Sequence, residues 1–212
     1  MPRGRHGLPR EAVADAQRVR ILAAMVEVVA ARGYTETRVV DVIGAAGVSR
    51  KTFYELFDSK EDCFLAGYDI LLGRVLEEAE AGFATDAEAS WPARIEAGLR
   101  VVLGHLAAHP EEARFALVEV LAAGPRALAR RDAALRRFTG LVETGRSESA
   151  ADLPGSTAQT IAGGIAELLY SEVLHGEAAR LPARLPELVF LVVLPFLGAE
   201  RAAEERARAR AA

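Results

Sequence analysis

Residues Ser49, Arg50, Lys51, Thr52 and Tyr54 place three hydroxyls and two cations within six positions. Side chains of these types reach the base edges and phosphates of a DNA duplex through hydrogen bonds and charge. They follow Ala46-Gly47-Val48. There the glycine supplies the positive φ of a tight turn, and Val48 plugs the space between two short helices. Ser49 is placed as the N-cap of a helix over about 50–57, with Phe53, Leu56 and Phe57 on its buried side. This is the spacing of a helix-turn-helix, whose second helix stands out into a major groove.

Other residues with chemical potential assemble less. His105 and His109 are spaced i, i+4, which suits a metal on one helix face, but His109 precedes Pro110 at a helix end. Glu172-x-x-His175 resembles half of a carboxylate-bridged di-iron site, and the chain has no second Glu-x-x-His. Solvated or capping histidines are the simpler reading. Cys63 is the sole cysteine, so it has neither a disulfide partner nor cysteine company for zinc, and it reads as a small apolar helix residue. The chain has no His-Glu-x-x-His, Gly-x-Ser-x-Gly, phosphate-binding loop or dinucleotide fingerprint. The expectation is no enzyme, no metal and no cofactor.

Composition sets what must carry these residues. Ala, Leu, Arg and Glu dominate and favour helix, aromatics are 6%, and β-branched runs are short, so the fold class is all-α. Helices are predicted over about 11–32, 39–46, 50–57, 58–82, 91–109, 111–123, 126–145, 155–176 and 183–210. Ser59 and Asp62 form the capping pair of the fourth. Prolines near the starts and glycines at the ends punctuate the later ones. Residues 1–10 read as a mobile basic arm, and the Ala/Arg/Glu tail after Gly198 has no apolar face and is expected to fray. The expected domains are 1–60, an arm and helix-turn-helix, and 61–212, a helical ligand-binding and dimerisation unit, joined by the fourth helix.

Charge divides along the same line. Residues 1–60 hold ten Lys/Arg against seven Asp/Glu, and the remainder holds sixteen against twenty-three. A basic head on an acidic body fits a DNA-reading module attached to something else. The N-terminus lacks the apolar core of a signal peptide. The most apolar stretch, 188–198, is shorter than the roughly 20 residues that span a bilayer. A cytoplasmic protein with no membrane partner is expected.

The stretch from Arg32 to Asp62 resembles the N-terminal signature of the tetracycline repressor-type (TetR) family of regulators. The matching features are Gly33-Tyr34, Ala46-Gly47-Val48-Ser49, Tyr54 with Phe57, and Ser59-Lys60-Glu61. Pro195-Phe196-Leu197-Gly198 looks like a C-terminal element of some members. The resemblance implies DNA phosphate contacts at Thr37 and Arg38, base and phosphate contacts at Arg50, Lys51, Thr52 and Tyr54, and a further phosphate contact at Lys60, while Ser49 joins them by its exposed position. Arg38 stands where threonine is usual, Lys51 where glycine is common, and Glu55 and Leu56 where basic or histidine-like residues are frequent. The operator sequence is therefore open.

Ile161, Ile165, Leu168 and Leu169 form one stripe, and the last helix, with Phe190, Val193 and Leu194, is apolar nearly all round. Such a helix needs a partner, and a two-fold mate supplies one. The resemblance likewise implies a homodimer through the last two long helices, and a small-molecule pocket among the middle helices. Trp91, His105, Phe115, Glu119 and Tyr170 are its candidate lining, suited to a hydrophobic effector. The functional expectation is a regulator, a repressor released from a palindromic double-stranded operator by that effector. The alternative is a helical ligand-binding or protein-interaction dimer with little sequence-specific DNA binding.

Overall fold

The computed structural model describes residues 10–86 and 88–211. Among them are nine α-helices, three short 3-10 turns and no strand. The basic arm expected at the N-terminus lies outside the described residues, except that Arg10 opens the first helix.

Helices α1 (Arg10–Arg32), α2 (Val39–Ala46) and α3 (Arg50–Leu56) form the head. Helix α4 (Lys60–Ala84) leaves it. The body follows as α5 (Trp91–Ala108), α6 (Pro110–Leu117), α7 (Pro125–Glu143), α8 (Thr157–Leu174) and α9 (Leu185–Ala211). The start of α4 is fixed locally. Ser59 Oγ accepts the Asp62 N–H at 3.0 Å, and the Asp62 carboxylate reaches back to the Asp58 N–H.

Two apolar cores hold these elements. One fills the body and joins Trp91, Ile95, Leu99 and Leu103 of α5 to Leu188, Val192, Val193 and Phe196 of α9. The other gathers Ile21, Met25, Val29, Val42, Phe53 and Phe57 of the head around Phe64 and Tyr68 of α4. It also takes in Phe115, Val120 and Ala127 from beyond α5, so α6 and the start of α7 complete the core of the head.

Three expectations need correction. The helix expected over 111–123 breaks at Val118, and a 3-10 turn, Glu119–Ala122, continues it. The last helix does not begin near 183. A 3-10 turn, Ala178–Arg184, precedes it, and Gly198, at φ 82° and ψ 171°, interrupts it. The tail beyond Gly198 does not fray. It stays helical to Ala211, burying Ala202, Glu205 and Ala209, and the Glu205 carboxylate pairs with Arg201 at 2.7 Å and with Arg208. A stripe of alanines carries almost no hydrophobic signal in sequence, yet it lets a helix approach its neighbour closely. By length and composition, Ala178–Ala211 is apolar enough to cross a membrane, but the break at Gly198 divides it, and 39% of its most apolar window is buried within the fold.

Glycine is needed for space at Gly145, where an added Cβ would press into the Trp91 indole. Gly145→Ala is expected to destabilise the protein by about 1–3 kcal/mol through overpacking. A thermal melt would show this as a Tm lowered by roughly 2–4 °C per kcal/mol in a chain of this size. A melt superimposable on the wild type would refute it.

Candidate nucleic-acid interface and effector cavity

The turn between α2 and α3 is built as its residues dictate. Gly47 adopts φ 62° and ψ 40°, and the Val48 N–H closes on the Ile43 carbonyl at 3.2 Å. Ser49 Oγ accepts the Thr52 N–H at 3.0 Å and meets the Thr52 hydroxyl at 2.9 Å. With Phe53 fully buried, the opposite face of α3 is left to solvent: Ser49, Arg50, Lys51, Tyr54 and Glu55 are exposed and Thr52 is half-buried. The Arg50 guanidinium lies 5.6 Å from the centre of the Tyr54 ring, and Lys51 pairs loosely with Glu55 at 3.7 Å. Arg38, at the N-terminus of α2, is also exposed. The Asp41 carboxylate caps that helix by accepting the Arg38 N–H at 2.9 Å, which holds its pKa below the usual carboxylate range.

Two of the eight expected DNA-contacting residues face inward. Thr37 is 1% exposed, and its hydroxyl donates to the Gly33 carbonyl at 2.8 Å. Lys60 is half-buried and donates to the Tyr34 and Thr37 carbonyls at 2.8 and 2.9 Å, its ammonium 4.0 Å from the Tyr34 ring centre. Burial lowers the pKa of this lysine, with Glu36 opposing. Both side chains build the loop that carries α2.

The body contributes a residue to the same loop that the sequence misplaced. Glu119 is 6% exposed and is not part of the lining of the cavity among α4 to α8. One carboxylate oxygen accepts the Tyr34 N–H at 2.8 Å, across 85 residues of chain, and the other pairs with Arg114 at 3.1 Å. Beside it the Phe115 ring lies 4.3 Å from that of Phe64, which meets Tyr34 edge-on at 5.0 Å. The helix expected over 111–123 hid the break that turns Glu119 towards the loop, and its partner is a backbone amide, which periodicity cannot reveal.

A partly enclosed cavity of about 150 Å³ lies between α4, α5, α6, α7 and α8. Of the five residues expected to line it, Tyr170 does. Trp91 is instead core, edge-on to Phe196 at 5.0 Å, and Phe115 belongs to the core of the head. His105 faces Glu112 at 2.9 Å, and Arg74 meets the same carboxylate at 2.8 Å, clamping α4, α5 and α6 together. Of the expected dimer residues, Ile165, Leu169 and Val193 are buried within the chain, and the first two line the cavity. Ile161, Leu168, Phe190 and Leu194 stay half-buried, and Leu191 is exposed beside them.

Two predictions follow from this packing. Glu119→Ala is expected to cost about 1–3 kcal/mol in denaturant unfolding, because it strands the Tyr34 N–H and the Arg114 guanidinium. Glu119→Gln, which keeps an acceptor oxygen, is expected to cost less, and equal losses would refute the hydrogen bond's role. Burial pushes the Cys63 thiol up to about 12, with Asp62 adding to the rise and Arg18 opposing it. The native protein should therefore resist a disulfide reagent at neutral pH and react once unfolded, whereas rapid native labelling would contradict the burial.

The description "bacterial regulatory proteins, tetR family" matches residues 21–66. The chain is 34% identical over 128 residues to the HTH-type transcriptional regulator EthR of Mycolicibacterium smegmatis. That match covers 58% of this chain and 55% of the relative, so it spans only about half of the relative's length. Among solved structures, the fatty acid degradation regulator FadR of Bacillus halodurans superposes with a TM-score of 0.74 at 21% identity, covering 83% of this chain and 94% of that one. FadR of Bacillus subtilis, solved in complex with stearoyl-CoA, gives a TM-score of 0.72 at 22% identity, over 82% and 97% of the two chains.

Proposed function

The chain belongs to the TetR family of transcriptional regulators, and from that premise we propose that it is a repressor, released from a palindromic operator by a small apolar effector. The observation that carries this reading is the exposed polar face of α3, raised on the Gly47 turn and backed by a fully buried Phe53. The head, residues 1–60, reads DNA. The body, 61–212, binds effector and dimerises.

Arg50 and Lys51 take base edges, guanine O6 and N7 being the usual partners of such cations. Ser49, Thr52 and Tyr54 take phosphates and neighbouring edges, and Arg38 takes a phosphate at the N-terminus of α2. Thr37 and Lys60 act by holding the loop. The homodimer forms across α8 and α9 through Ile161, Leu168, Phe190, Leu191 and Leu194, whose apolar surface a single chain leaves partly open. A two-fold pair sets the two α3 helices one DNA turn, or a multiple of it, apart. The cavity holds the effector. Its walls Ala116 and Leu117 share α6 with Phe115, next to Glu119 and its bond to the Tyr34 loop, so that occupancy alters the seating of the head. The setting is cytoplasmic, and the chemistry is binding rather than catalysis.

A binding-site selection with the purified protein is expected to enrich a palindrome. Arg50→Ala and Lys51→Ala should each relax the preference at one position per half-site, weakening binding to the selected sequence roughly ten- to a hundredfold. If no motif is enriched, or the double substitution leaves specific binding intact, the reading gives way to a helical dimer without sequence-specific DNA recognition.

A further inference from the structure

The cavity is long, and its cation, Arg131, lies at the Tyr68 end, while Glu80 lies towards the other. Its lining on α4 runs from Tyr68 to Phe83, about 22 Å of helix at about 1.5 Å per residue. On α7 it runs from Arg131 to Leu141. Arg130 holds Asp69 through bonds of 2.8 and 3.0 Å, and Arg137 holds Glu80 at 2.9 and 2.8 Å. The two helices therefore run alongside one another in the same direction. Tyr68 and Arg131 share one end, and Phe83 and Leu141 lie towards the other.

The charges lining this space are Glu80 and Arg131. Glu80 is spent on its paired bonds to Arg137. Arg131 makes no hydrogen bond among the described residues and meets only its neighbour Asp132, at 3.6 Å. The Tyr68 hydroxyl also has no hydrogen-bond partner among the described residues, although the residue is 2% exposed. Burial raises its pKa above the ordinary phenol range, so it stays a donor at neutral pH. A free guanidinium and a free hydroxyl at the end of an apolar channel suit one small anionic head on one chain. They suit a nucleotide carrying several phosphates less well, because the neighbouring Arg130 and Arg137 each hold a carboxylate, Asp69 and Glu80, through paired bonds.

We propose that the cavity binds a long-chain free carboxylic acid, with its carboxylate on Arg131 and the Tyr68 hydroxyl and its chain lying along α4, and that it discriminates against the coenzyme A thioester of the same acid. This rests on reading the cavity as the effector site. It differs from the bound state named for the Bacillus subtilis FadR structure, whose ligand is an acyl-CoA.

The test is calorimetric titration of the full chain with palmitate and with palmitoyl-CoA, both below their micellar concentrations, alongside operator gel shifts. Palmitate should bind, and palmitoyl-CoA should bind at least roughly tenfold more weakly. Arg131→Ala should weaken palmitate roughly ten- to a hundredfold, with Arg131→Lys restoring most of the loss and Tyr68→Phe causing a smaller one. Hexadecanol, which lacks the charge, should be indifferent to Arg131→Ala, and that arm separates lost recognition from lost folding. Equal or tighter binding of the thioester, or palmitate affinity unchanged in Arg131→Ala, overturns the proposal. The gel shift tests the other reading separately. Palmitate that binds yet leaves the operator complex intact removes its role as effector while the carboxylate site stands. A chain that binds its operator but neither lipid removes the site and leaves the regulator.

Discussion

The peptide groups of Tyr34 are gripped from two sides. Its N–H is held by Glu119 of the body and its carbonyl by Lys60 at the start of α4. The loop from Gly33 to Arg38 has no regular backbone ladder of its own, so these charge-assisted bonds supply what secondary structure does not. Gly33 takes φ 84° there, and an added Cβ would stand 3.4 Å from the Glu119 carboxylate. The seating of α2, and through the Gly47 turn that of α3, follows from this anchorage. These bonds tie the head to the 3-10 turn that follows α6.

Apolar packing says the same in a different currency. Phe115 and Val120 belong to the core of the head, Leu117, two residues from Phe115, faces the cavity, and Ala116 between them touches both. One short helix thus presents different faces to the head and to the cavity. Close-packed interiors respond to inserted volume by shifting between arrangements rather than deforming smoothly. In the proposed reading, a ligand wedged against Leu117 acts on the same segment that carries Phe115 and Glu119.

The parts of the fold that were legible in sequence are those set by short-range rules. Ser49, Gly47, Ser59 and Asp62 each act within a few residues, and α2 lies where its spacing placed it, with α3 ending one residue earlier. The parts that were not legible depend on contacts across the chain. Ile161 and Ile165 read alike, yet one is half-buried at the surface and the other is core, because a helix apolar on two faces does not announce which face its own chain takes. Thr37 and Lys60 have the right chemistry for phosphate, but they spend their donors on carbonyls nearby. The tail after Gly198 reads as frayed, whereas it stays helical on a stripe of alanines whose burial no hydrophobic pattern foretells.

The balance of charge on α3 bears on how such a head separates affinity from specificity. Lys51 and Glu55 pair at 3.7 Å in full solvent, where an ion pair is worth little, so Lys51 is free to leave its partner for a base. Arg50, resting against the Tyr54 ring, is less free, and it presents its fork from a restricted direction. Glu55 adds nothing to phosphate attraction and repels a backbone that comes too close, which penalises a head lying on the duplex in the wrong orientation. In the proposed reading, sequence-independent grip comes from elsewhere on the head, from Arg38 and the helix N-termini, and the short cationic pair on α3 chooses the sequence. Such a head would bind weakly wherever the groove does not fit, and two correctly spaced copies, set by the geometry of the body, would decide the outcome.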